Sequence, residues 1–265
     1  MNSAIRLEAR ELTVGYGQHP VIRDINLRLR SGEMVGIIGP NGSGKSTLLK
    51  ALSGLIPAQS GQVFLDGQLL TGLEPRARAR RMAYVPTAAQ PIFGFSVTDV
   101  VSHGRYPHES DSGLVNQEAF ISSALTRVNL EHLRDVSVNR LSSGEWQRVL
   151  IARALAQNAP VMLLDEPTAH LDVKHQAQVF ELLLQLSSAE DKTVLCVCHD
   201  LNLSAEYCGR LILLSEGKIL TQGAPNEVIH PTVLAAAYGI HPMVWSNPHS
   251  GQPVVLPARR LSPRA

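Results

Sequence analysis

Residues Gly39-Pro-Asn-Gly-Ser-Gly-Lys-Ser-Thr47 constrain the fold of this 265-residue chain more than any other stretch. Gly39, Gly44, Lys45 and Ser46 occupy the fixed positions of the pattern G-x-x-x-x-G-K-[ST]. The apolar run Met34 to Ile38 precedes them, and an apolar-periodic segment, about Lys45 to Ser53, follows. A buried strand feeding a glycine-rich turn and then a helix is the start of an α/β sheet. Glycines let backbone N–H groups converge on phosphate oxygens, and the helix N-terminus adds positive potential there. Chemistry then assigns Lys45 to the β- and γ-phosphates of a nucleotide, the Ser46 hydroxyl to Mg²⁺ and Thr47 to the α-phosphate. Pro40, Asn41, Gly42 and Ser43 complete the cradle.

The rest of the chain agrees with that beginning. Ile5, Leu7 and Ala9 alternate with Arg6, Glu8 and Arg10, and Val21 to Leu29 alternates in the same way. Gln62 to Leu65 with Asp66-Gly67 reads as a strand and hairpin turn. These predict an antiparallel β part at the N-terminus. The middle is helical: Val97 to Gly104, a face formed by Ile121, Ala124, Leu125 and Val128, and about Glu145 to Gln157. It reads as an inserted subdomain over about 88–158. Strands and helices then alternate: Val161 to Leu164, Val173 to Leu186, Thr193 to Val197, Asp200 to Tyr207, and a strand pair around Glu216-Gly217. Residues 1–240 are expected to form one nucleotide-binding unit. With Pro242, Pro248, Pro253, Pro257 and Pro263, residues 241–265 read as an extended tail.

Composition excludes several classes. Lys plus Arg is 24 and Asp plus Glu is 23, a net charge of +1, too balanced for a chain that holds nucleic acid by counterion release. At 44% hydrophobic residues the chain is not disordered. Apolar runs such as 161–164 and 211–214 are four residues, against the roughly 20 that span a bilayer. Nor does the start MNSAIRLEARELTV have the apolar centre of a secretory signal. Cys196, Cys198 and Cys208 suit a reducing compartment; the first two alternate with valine, as packing positions on a strand do. No second cysteine pair completes a zinc site. Arg76, Arg78, Arg80 and Arg81 read as a solvated helix face.

Two further constellations carry chemistry. Val161-Met-Leu-Leu-Asp165-Glu166 is an apolar strand ending in two carboxylates. At a sheet edge beside the phosphate loop, Asp165 can hold Mg²⁺ and Glu166 can polarise a water. Leu141-Ser142-Ser143-Gly144-Glu145 precedes a helix. Ser142 and Glu145 are spaced as a capping box, and the helix start with its hydroxyls also makes an anion site.

Together these motifs resemble the ATP-binding cassette ATPases, over about residues 5–230. Leu141 to Glu145 departs from that family's commoner LSGGQ at Ser143 and Glu145, while Ser142 and Gly144 remain. The resemblance implies that Tyr16 stacks on adenine, that Asp172 lies in the loop crossing a dimer interface, and that His199 is the switch histidine near the γ-phosphate. The family carries a glutamine directly after the strand that leads to the helical subdomain. Here Met82-Ala-Tyr-Val-Pro86 leads to Thr87, and Gln90 comes three residues later: Gln90 is expected to reach the metal with Thr87 as a spacer, the alternative being that Thr87 itself binds Mg²⁺ or a water, more weakly. The phrases Phe95 to Pro107, Pro167 to Asp172 and His199 to Asn202 resemble one subgroup, the ATPase subunits of bacterial importers for ferric siderophores, haem and cobalamin.

What the resemblance implies is an ATP- and Mg²⁺-dependent ATPase on the cytoplasmic face of the bacterial inner membrane. It would work as a head-to-tail pair of copies, each ATP between Lys45 of one and Ser142 of the other, catalysis resting on Glu166, His199 and Lys45. Integral membrane permease subunits are the implied partners, and a substrate-binding protein acts indirectly. A non-transport cassette ATPase on a soluble assembly is one alternative; another is a nucleic-acid-linked cassette, which commonly carries a coiled coil or fused cassettes not seen in this sequence.

Overall fold

The computed structural model describes residues 4–87, 94–109, 117–169 and 171–256. The N-terminal part is antiparallel: β1 (Ile5–Tyr16), β2 (His19–Arg30), β4 (Ser60–Leu65) and β5 (Gln68–Leu69) form one sheet in the order β2-β1-β4-β5. A second sheet has the order β10-β9-β3-β8-β7-β6, from β3 (Met34–Ile38), β6 (Met82–Val85), β7 (Val161–Asp165), β8 (Thr193–Val197), β9 (Arg210–Ser215) and β10 (Lys218–Gly223). All its pairings are parallel except β9 with β10, where Glu216-Gly217 turns the chain back.

Because side chains alternate across a strand, the fully buried strands of this second sheet feed two cores. Val35, Ile37, Val161, Leu163, Leu195 and Val197 face the antiparallel sheet. Between the sheets lies α1 (Lys45–Leu52), with Leu48, Leu49 and Leu52 fully buried. Met34, Ile38, Met162, Leu164, Val194 and Cys196 point the other way, toward α5 (Ser143–Gln157), α6 (Val173–Glu190) and α7 (Leu201–Tyr207). Thus α1 is fixed from both sides, and the loop at its N-terminus with it.

Between β6 and β7 the chain forms α3 (Val97–Ser102), a 3₁₀ stretch over His103–His108, and α4 (Gln117–Arg127), which join α5. Ile121, Ala124, Leu125 and Val128 are buried as their spacing predicts. The arginines of α2 (Pro75–Arg81) do more than meet solvent. No residue of the helix is buried and Arg76 is exposed, but Arg76 Nε and Arg80 Nε both donate to the Pro107 carbonyl, at 2.9 and 2.8 Å, so this face also grips the 3₁₀ stretch.

Residues 241–256 also differ from an extended tail. After α8 (Pro225–Val228) and α9 (Pro231–Tyr238), β11 (Met243–Ser246) and β12 (Pro253–Leu256) pair as a hairpin. The hairpin docks on α7. Val255 N donates to Asn202 Oδ1 at 2.7 Å, and Ser250 Oγ and Asn247 Nδ2 donate to Glu206 Oε2 at 2.7 and 3.2 Å. Among the described residues no helix is long and apolar enough to cross a membrane.

Candidate nucleotide site

The ends of β3, β7 and β8 lie side by side in the sheet, and in open α/β sheets ligands bind beyond such carboxyl ends. From β3 comes the loop Gly39 to Thr47, from β7 the pair Asp165-Glu166, and from β8 His199. Two glycines set the loop's path. A Cβ on Gly39 would lie 2.0 Å from the Leu214 carbonyl oxygen, and one on Gly44 2.6 Å from Ile22 Cγ2; both have positive φ. The loop is thus pressed against β9 and β2 where any larger residue would collide.

Lys45 Nζ donates to the carbonyls of Gly39 and Pro40 at 2.8 and 2.9 Å. An ammonium has three donors, so one remains for an anion on the open side. Burial lowers the Lys45 pKa, opposed by the charges of Glu166 and Asp165. Among the described residues Ser43 Oγ is buried without a hydrogen-bond partner, in a loop whose helix end attracts anions. An oxyanion of the size and charge of a phosphate fits that demand.

Ser46 Oγ donates to Asp165 Oδ1 at 2.9 Å. Burial raises the Asp165 carboxyl above its ordinary value; the Ser46 bond lowers it and the neighbouring Glu166 charge adds to the rise. A hydroxyl and a carboxylate in contact are two hard oxygen donors, the set that suits Mg²⁺. Tyr84 Oη lies 3.5 Å from Asp165 Oδ2, and burial keeps this phenol protonated and a donor. Sequence reasoning missed Tyr84; its signal is its strand position on β6 beside β7.

Glu166 sits at φ 52, so the chain turns left-handed directly after β7 and carries the carboxylate out over the loop. Its Oε1 lies 2.6 Å from His199 Nε2. A cleft of about 240 Å³ gathers Lys45, Ser46, Thr47, Glu166 and His199 with Asn41, Gly42, Gly44 and Val21. A larger groove of about 910 Å³, lined by Glu8, Arg10, Arg28 and Arg210, is elsewhere and holds none of these groups.

Other expected residues stand apart from that cleft. Ser142 caps α5: Glu145 N donates to Ser142 Oγ at 3.2 Å and Ser142 N to Glu145 Oε2 at 2.8 Å. Leu141, Ser143 and Gly144 share this turn, and none of the five lines the cleft. Asp172 caps α6 through His175 N at 2.9 Å and is exposed. Tyr16 ends β1 and is 57% exposed, available for stacking. Thr87 Oγ1 donates to the Asp165 carbonyl at 2.8 Å, which anchors the start of its loop at the end of β7. Gln90 lies outside the described residues.

Comparison with known proteins places this arrangement. Residues 22–169 match the family model described as "ABC transporter". The chain is 39% identical over 263 residues to the ferric enterobactin transport ATP-binding protein of Escherichia coli strain K12, covering 98% of this chain and 97% of that protein. It is 41% identical to the cobalamin import ATP-binding protein of Halobacterium salinarum, covering 95% of this chain but only 63% of that longer relative. Its fold matches, at TM-score 0.82 and 26% identity, an inward-facing structure described as of metal-chelate ABC transporter type, covering 98% and 99% of the two chains. The phosphate loop, the paired carboxylates and the whole-chain likeness lead to one assignment: the chain belongs to the ABC transporter family.

Proposed function

We propose that this chain is the ATP-hydrolysing subunit of a membrane importer for an iron chelate, haem or cobalamin. The observation that carries it is a cleft built by half. Lys45, Ser46, Glu166 and His199 converge in it, while the Leu141 to Glu145 turn, a second anion-attracting helix start, lies outside it. A second copy placed head to tail supplies that turn, with Ser142 over the γ-phosphate and Asp172 at the contact. ATP is the nucleotide, with Tyr16 stacked on adenine and Gly39 to Thr47 around the phosphates.

Ser46 and Asp165, with Gln90, are the residues that would hold Mg²⁺; the ion supplies charge neutralisation at the β- and γ-phosphates. Lys45 shares that task through its free donor. Glu166 accepts a proton from the attacking water, and ATP and water give ADP and phosphate. His199, 2.6 Å from Glu166, orients the carboxylate and releases it when the γ-phosphate offers a competing acceptor. Thr87, bonded to the Asp165 carbonyl, anchors the start of the loop, and Gln90, three residues on, reaches the metal.

Residues 1–240 form the cassette, 88–158 its helical subdomain, and 241–265 an appendage. The subdomain and the loop 87–90 meet integral permease subunits, which hold the chain at the cytoplasmic face of the membrane. A substrate-binding protein delivers cargo to the permease. The test is to co-purify the chain with its permease in lipid and measure ATP turnover with ligand-loaded binding proteins. Stimulation by one loaded protein identifies the cargo. Turnover that ignores every iron-chelate, haem and cobalamin carrier overturns the importer reading.

A further inference from the structure

The three cysteines of this chain converge although Cys208 is distant in sequence. Cys196 and Cys198 lie at and just after the end of β8, on the same face of the strand, with sulfurs 3.3 Å apart. Cys208 is the C-cap of α7, and all three sulfurs lie within 4.8 Å of one another. They are 0%, 4% and 3% exposed. On β3, Gly36 leaves the space: a Cβ there would sit 3.0 Å from Cys208 Sγ and 2.9 Å from Leu211 Cδ2. Among the described residues no His, Asp or Glu joins the group.

We propose that Cys196, Cys198 and Cys208 form a three-sulfur site for a soft monovalent metal cation, Cu(I). The choice follows from ligand type, number and charge. Sulfur donors select soft ions such as Cu(I) over Mg²⁺ or Ca²⁺. Zinc asks for four ligands in a closed site, and only three are present among the described residues. Neutralising a monovalent ion takes one ionised sulfur where a divalent ion takes two, and each uncompensated charge in an apolar core is costly. The surroundings are apolar, with Met34, Leu211 and Ala205 in the same core. Uptake of Cu(I) by three thiols then releases about one proton per ion to solvent, with no change in oxidation state.

Entry requires α7 to open, because the sulfurs are covered. That helix has seven residues, and local openings of such elements cost less than global unfolding. Once bound, the ion ties the end of β8, one residue before His199, to the far end of α7. The site is separate from the nucleotide cleft and does not depend on what the transporter carries.

The experiment uses the full chain, reduced and free of oxygen, with Cu(I) added against a chromophoric Cu(I) chelator. One equivalent is expected to bind, and copper-edge X-ray absorption is expected to show three sulfur neighbours. Cys208→Ala should weaken binding by more than the roughly 10–100-fold seen when even outer partners of a metal site are lost. Because that variant could misfold, the sulfur count on the unmodified chain stands as an independent measurement. Coordination by two sulfurs, by nitrogen or oxygen, or uptake no greater than that of a chain with all three cysteines replaced by alanine, overturns the proposal and leaves the cysteines as packing.

Discussion

At the scale of single residues, the cleft works by opposing terms. Lys45 is buried, yet it donates to two loop carbonyls and lies near two carboxylates whose charges oppose the effect of burial. Lys45→Ala is expected to abolish ATP turnover while the chain still folds, because alanine suits the first position of α1 and Leu48, Leu49 and Leu52 keep their packing. Turnover at the unmodified rate, with a normal circular-dichroism melt, would remove Lys45 from the phosphate site. A second residue-scale test concerns stability. Hydrogen bonds from Arg10 and Arg28 hold the Glu8 carboxyl at about 2, down from 4.5. The unfolded chain therefore binds the extra proton first as pH falls. The stabilisation is complete above about 4.5 and is lost toward about 2. Glu8→Gln should flatten the acid limb of stability against pH in that window, read from urea midpoints at several pH values; an unchanged limb would show that the ion pairs are screened.

At the scale of elements, local pattern revealed type better than extent. The loop Gly39 to Thr47 was legible because its spacing and its strand–turn–helix setting are purely local. The Ser142–Glu145 box was legible for the same reason, and both of its hydrogen bonds form. By contrast, α6 runs to Glu190 although its apolar residues thin out after Leu186; Asp191 ends it in a left-handed cap that the periodicity does not signal. The hairpin of β11 and β12 was hidden by prolines. Pro253 opens β12 on a two-stranded ribbon, a position where a missing N–H costs little. What could have found it is alternation around Trp245 and Val254, partners across the ribbon. The gripping role of Arg76 and Arg80 depends on a carbonyl about thirty positions away, which no local pattern encodes. Since Asn202 fills the place of a neighbouring strand for Val255, Asn202→Ala should cost on the order of 1–2 kcal/mol locally. Hydrogen exchange at Val255 should accelerate while that at β3 does not; equal acceleration everywhere would mean the hairpin opens only with the whole fold. For the loop after β6, Gln90→Ala should lower ATP turnover with nucleotide binding kept, and Thr87→Ala should do less. The reverse order would give the metal-facing role to Thr87.

At the scale of the whole molecule, one chain holds only part of the proposed site. The groups proposed to hold and cut a phosphate chain sit at the ends of β3, β7 and β8, and the turn at Ser142 is outside their cleft. If a second copy supplies that turn, ATP is a bridge between copies and its hydrolysis dissolves the bridge. A chain that binds ATP but cannot hydrolyse it should therefore remain paired. Glu166→Gln keeps size and hydrogen bonding but removes the proton acceptor, a loss on the order of 10²–10⁴-fold in rate. Light scattering with ATP and Mg²⁺ should give twice the monomer mass for this variant, and the monomer mass with ADP. Pairing through the head-to-tail contact makes a sharper demand. Adding Ser142→Arg to Glu166→Gln should block pairing while a fluorescent nucleotide still binds each monomer, because Lys45 and the loop are untouched and the bulky charge sits only where the partner's γ-phosphate would dock. If the double variant pairs as readily as Glu166→Gln alone, the contact lies elsewhere; if Glu166→Gln stays monomeric at saturating ATP, the composite site itself falls.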